Sequence, residues 1–161
     1  AAMNPLHRGS GTLDPNTATA TELAAIDRYI SNISGPLFDR IDIHLEVPAV
    51  TYRDLTGTHR GTDSATMRKQ VQGALGVQRE RFGNTTTNAT MGKREIEKHC
   101  VLDGPSQTLM KQAMEELGLS ARAFDKVRKV ARTIADMEGE EKIGAGHVSE
   151  AIQYRLLDRR W

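Results

Sequence analysis

Hydrophobic and polar positions along the chain change their period near residue 60. Before it, the clearest pattern is an alternation: Ile41, Ile43, Leu45 and Val47 with Asp42, His44 and Glu46 between them. A period of two predicts a strand over 41–47 with one buried and one wet face, closed by Pro48. A short helix over 20–32 is expected upstream, with Leu23, Ala24, Ile26, Tyr29 and Ile30 on one side and Ser34-Gly35-Pro36 ending it. Residues 6–20 are rich in Gly, Ser, Thr, Asn and Asp and read as a loop.

After residue 60 the period is helical. Met67, Val71, Leu75 and Phe82 predict an inward stripe over 62–82, weakened by Gly73 and Gly76. A polar loop (83–91) and a short helix (92–99) follow. Asp103-Gly104-Pro105 opens the next helix, in which Leu109, Ala113, Met114 and Leu117 face inward until Gly118 stops it. Ser120 caps a helix reaching about residue 137, with Phe124, Val127, Ala131 and Ile134 as its apolar stripe. Glu138-Gly139-Glu140 turns the chain into a last helix over 145–156, burying Val148, Ala151 and Ile152.

The fold class is therefore mainly α, a helical bundle over 51–161. It is preceded by one clear strand and loops from a different domain. A single strand needs a sheet, and the opening Ala1-Ala2-Met3-Asn4-Pro5 reads as a cut from a longer protein.

Composition narrows the chemistry. Of 161 residues, 38% are hydrophobic and only 4% aromatic, so the core is built from aliphatic side chains and the stacking platforms of single-strand binders are scarce. Lys plus Arg (22) against Asp plus Glu (21) leaves a net charge of +1, which excludes a basic or acidic tail. No apolar run approaches the ~20 residues of a membrane span. One cysteine, Cys100, excludes an internal disulfide and a cysteine-based zinc cage, reads as a buried thiol, and suits a reducing cytoplasm. The five histidines are scattered, with no i,i+4 pair on a helix. Two readings stay open for Arg128, Lys129, Arg132, Arg155, Arg159 and Arg160: a nucleic-acid surface, or a solvated face balanced by Asp125, Asp136 and Glu138.

Three segments carry a resemblance: AAMNP at the start, ISGPLFDRIDIHLEV at 33–47, and LSARAFDKVRKVARTIADMEG at 119–139 followed by HVSEAIQYRLLDR at 147–159. Together they resemble the C-terminal part of the magnesium-chelatase-like AAA+ ATPases, in the ComM (YifB) branch. The resemblance implies a truncated α/β remnant over 1–50, the end of an ATPase core, followed by its helical lid over 51–161. It implies a parent that forms a homo-oligomeric ring, a hexamer, uses ATP and Mg²⁺, and works on DNA by remodelling or translocation. A chelatase ATPase subunit and a non-enzymatic helical module binding DNA or protein are the alternatives.

The same resemblance assigns roles. Asn4 would orient the attacking water near the γ-phosphate; read from the residues alone, it is a turn Asn before Pro5. Arg40 would be the arginine finger reaching a neighbouring subunit's nucleotide; otherwise it forms a surface ion pair with Asp39 or Asp42. Arg122, in the first turn after the Ser120 cap, would be the lid arginine touching nucleotide on its own core; otherwise it is solvated. No G-x-x-x-x-G-K-[ST] phosphate loop occurs in the chain. The cysteine cluster that many relatives carry after Met-Asn-Pro is replaced by Leu6-His7-Arg8-Gly9.

Overall fold

The computed structural model describes residues 61–155 continuously, together with 19–21, 24, 28, 37, 39–45, 47, 50 and 52–57. The described part is mainly helical. A five-residue helix α1 (Tyr52–Thr56) precedes α2 (Ser64–Phe82), a 3-10 turn (Asn88–Thr90), α3 (Lys93–His99), α4 (Gly104–Leu117), α5 (Ala121–Glu138) and α6 (Ala145–Gln153). Residues 20, 21, 24 and 28 of the expected first helix are described, and all are helical.

Local chemistry sets the boundaries. Asp63 caps α2 by accepting from the Ala65 and Thr66 amides at 2.8 and 2.9 Å. Asp103 caps α4 through the Ser106 amide, with Pro105 in the first turn. Ser120 caps α5 through the Ala123 amide at 3.1 Å. Each cap satisfies one or two of the amides that a helix start leaves without an internal acceptor. Gly118 (φ 64°) and Gly139 (φ 75°) end α4 and α5 in the left-handed region, where a side chain is strained.

Helix α5 is the hub. It packs against α2, α3, the 3-10 turn and α6, while α4 packs against α6. Ala123, Val127, Ala131 and Ala135 on α5 are almost fully buried, and the three alanines let neighbouring helices approach closely. Met110, Cys100, Leu102, Ile143, Val148 and Ala151 complete the core. A parallel bridge between Leu102 and Ile143 ties the entrances of α4 and α6 together. Burying each of the larger aliphatic side chains contributes about 1.5–3 kcal/mol.

Two expectations are corrected. Met67 and Val71 do not face inward: they are 51% and 50% exposed, because α2 reaches α5 only from Ala74 and Gln78 onward. Nor is there a strand among the described residues of 41–47. Burial there is the reverse of the expected alternation, with His44 inside and Ile43, Leu45 and Val47 exposed. A strand is held by a ladder with a neighbour. Here the His44 amide donates to the Tyr154 carbonyl (2.8 Å) and the Ile41 carbonyl accepts from the Arg155 side chain. The segment is fastened to the end of α6 instead.

Candidate functional site: the Arg40 turn and its anchors

Of the residues singled out in the sequence, Asn4, Arg159 and Arg160 lie outside the described part. Arg40 sits in an exposed turn whose backbone closes through its amide and the Leu37 carbonyl at 3.1 Å. Arg122 lies in the first turn of α5 with its side chain 77% exposed. The fold brings these two arginines into one neighbourhood. Arg122 Nη1 stands 3.4 Å from Asp39 Oδ2, and Asp39 directly precedes Arg40.

Asp39 is the hinge of that neighbourhood. Its other oxygen accepts from the Ser120 hydroxyl at 3.0 Å, so the residue that caps α5 also holds the turn. Partial burial alone would raise the Asp39 pKa. The bonds from Ser120 and Arg122 and the charges of Arg122 and Lys126 outweigh it and hold the carboxyl below the ordinary carboxylate range. Two residues past Arg40, Asp42 pairs with Lys126 of α5 at 2.8 Å. The carboxylates flanking Arg40 are thus both engaged by the first turns of α5.

The basic residues farther along α5 do different work. Asp136 is completely buried and accepts from Arg81 (2.8 and 2.5 Å), Asn88 (2.7 Å) and Arg132 (3.0 Å). Arg132 also donates to the Glu140 and Glu141 carbonyls, stapling the chain that leaves α5. Arg128 donates to the Ile96 and Cys100 carbonyls at the end of α3. Arg155 is buried against the Ile41 carbonyl. Arg132 and Arg155 are therefore buried internal fasteners rather than parts of a solvated or nucleic-acid-facing surface, whereas Arg128 is partly buried and also pairs with Asp125, one of its expected partners, at 3.7 Å. Charge this far from solvent persists only when paired and fully hydrogen-bonded. Lys129 keeps partial exposure while donating to the Ala89 carbonyl at 3.1 Å. Sequence reasoning missed Arg81. The available signal was Arg132 and Asp136, a basic–acidic pair at i,i+4 inside the apolar stripe of α5.

Cys100 is fully buried as expected, with its sulfur 4.0 Å from that of Met91. Among the described residues no three His, Cys, Asp or Glu side chains converge to hold a metal ion, and no helix is long and apolar enough to cross a membrane. Two concavities of about 530 and 660 Å³ lie over the Arg132–Asp136 region and over the Met110–Phe124 region. Arg40 and Arg122 line neither of these two, and both are exposed.

A family model described as magnesium chelatase, subunit ChlI C-terminal, matches residues 61–155, and one described as magnesium chelatase, subunit ChlI, matches residues 1–55. The chain is 39% identical over 160 residues to the competence protein ComM of Haemophilus influenzae. It is 38% identical to the YifB protein of Salmonella typhimurium and 36% identical to that of Escherichia coli, both uncharacterised. Each match covers 99% of this chain but only 30–31% of the relative, so the chain spans about a third of their length.

Proposed function

The chain belongs to the magnesium chelatase ChlI family of AAA+ proteins, and on that premise we propose that it supplies the arginine-bearing edge of a ring-forming ATPase. Residues 1–50 contribute the end of the core and 51–161 the helical lid. The observation that carries this reading is the placement of Arg40 and Arg122 at one exposed edge, joined through Asp39.

A guanidinium suits a polyanion such as the triphosphate of ATP, and Asp39 and Asp42 on either side of Arg40 are engaged by Arg122 and Lys126. Arg40 acts on the nucleotide of a neighbouring subunit. Its planar, permanently charged group stabilises the charge that spreads over the phosphoryl oxygens during transfer to water. Arg122 binds the nucleotide on its own core, and Asn4 positions the attacking water. Bound ATP supplies the phosphoryl group, and Mg²⁺ is the metal that accompanies it in the longer protein. Head-to-tail interfaces of this kind close into a ring, for which a hexamer is our reading. The ring works in the cytoplasm.

The relative named a competence protein favours an output on DNA. The family model's name favours a second reading, an ATPase subunit of a chelatase. A non-enzymatic DNA-binding module is less favoured, because Arg128, Arg132 and Arg155 are committed to internal bonds.

The test is a hybrid in which this sequence replaces the matching 160 residues of the Haemophilus relative. Arg40→Ala is expected to lower ATP hydrolysis by about 10³-fold or more with the assembly intact. A rate within twofold of the parent hybrid would remove Arg40 from catalysis. Stimulation of hydrolysis by DNA supports the first output, and its absence the chelatase reading.

A further inference from the structure

Five bonds from the start of α5 and the end of α6 fasten the segment at residues 39, 41, 42 and 44. Asp39 bonds Ser120 and Arg122, and Asp42 bonds Lys126, all at the start of α5. The Ile41 carbonyl accepts from Arg155 and the His44 amide donates to the Tyr154 carbonyl, both at the end of α6. The anchored positions are 39, 41, 42 and 44, which bracket Arg40 closely on either side.

Arg155 is the informative member. It is 1% exposed, comes directly after a residue that also binds the segment, and lies 114 positions from the carbonyl it reaches. A buried guanidinium is expensive unless bonded. Its rigid fork fixes direction where a flexible ammonium would not. His44, also buried, closes the far side of the clamp.

From this arrangement we infer that α5 and α6 clamp residues 39–44 and that Arg155 is a positioning residue for Arg40. The clamp holds the backbone under Arg40 in one conformation before any ligand arrives, so that little ordering is left for the moment of reaction. It also links the presentation of Arg40 to the packing of two lid helices. The consequence for hydrolysis rests on the role proposed for Arg40; the clamp itself does not.

The test uses the 161-residue chain. Exchange of the His44 amide is followed by NMR, and tryptic cleavage after Arg40 by mass spectrometry. Arg155→Met is expected to accelerate both at least tenfold while the Val127 and Ala131 amides of α5 keep their protection. Arg155→Lys, which retains a long donor without the rigid fork, is expected to recover part of the His44 protection. A defect from altered packing alone would be shared by Lys and Met. Lys126→Met, at the rim of the clamp, is expected to raise both rates two- to fivefold, and it becomes the deciding variant if Arg155→Met does not fold. Unchanged rates in the folded variants, or acceleration only together with the α5 amides, would overturn the clamp. In the hybrid ATPase, Arg155→Met is expected to lower kcat at least fivefold with KM for ATP within twofold. If Arg40→Ala leaves hydrolysis intact while Arg155→Met still frees the His44 amide, the functional reading fails and the clamp stands.

Discussion

Replacing Asp136 by Asn keeps the shape of the side chain and removes only its charge and half its acceptor capacity. Asp136 is wholly buried and takes four N–H bonds from Arg81, Asn88 and Arg132. Arg81 and Arg132 are themselves 14% and 3% exposed, so neither can turn to water when the carboxylate is gone. Removing one partner of a buried ion pair costs about 3–5 kcal/mol, mostly the penalty of the stranded charge. For a cooperative unit the size of 61–155, about 4–8 °C is lost per kcal/mol, so Asp136→Asn should lower Tm by at least about 12 °C. Asp125→Asn is the control: its pair with Arg128 is 3.7 Å long and Asp125 is half exposed, so the loss should stay below about 1 kcal/mol. The assay is thermal and urea unfolding followed by circular dichroism. Acid sharpens the test. Burial alone would raise the Asp136 pKa, but the bonds from Arg81 and Asn88 and the charges of both arginines prevail and leave it below the ordinary value. A depressed carboxyl contributes stability that is present above its unfolded pKa and lost as pH falls through its folded one. The parent chain should therefore lose stability below about pH 4, and Asp136→Asn should show a shallower acid slope. A Tm within about 3 °C of the parent, or an unchanged acid slope, would refute the claim that this carboxylate holds α2 to α5.

Two further outcomes follow from single residues. Burial pushes the Cys100 thiol up to about 11 even though Arg128, Arg132 and Arg81 pull it down. Iodoacetamide at about pH 8 should leave the native chain unlabelled and react only under unfolding conditions; labelling of the native chain within minutes would contradict its burial. Gly139 has φ 75° and open space where a Cβ would stand, so Gly139→Ala should destabilise by about 1–2 kcal/mol through backbone strain alone, and Gly139→Asn by less, as measured by urea unfolding.

Helix α5 shows what is legible in this sequence. Its cap, its stripe and its glycine stop are all local signals, and Ser120, Val127 and Gly139 act in the structure as their types require. What pattern could not reveal depends on residues far apart in the chain. Arg132 and Arg155 look like surface cations until Asp136, Arg81 and the Ile41 carbonyl arrive from elsewhere. The alternation at 41–47 marks one face to bury, and the structure buries His44 on the other. The segment is fastened by bonds from residues 154 and 155, which no period in the sequence announces. The joining of Arg40 and Arg122 through Asp39 is likewise a product of the fold, across 83 positions.

The link between Arg81 and Asp136 also orders events during synthesis. Their 55-residue separation means that Arg81 leaves the ribosome well before the carboxylate it needs. At about 5–20 residues per second the interval is roughly 3–11 s. During it the 19-residue helix α2 lacks its partners on α5, although His99 of α3 already reaches the ring of Phe82. The nascent chain therefore spends seconds with its first long helix uncommitted. The arrival of Asp136 is the step that recruits that helix into the bundle.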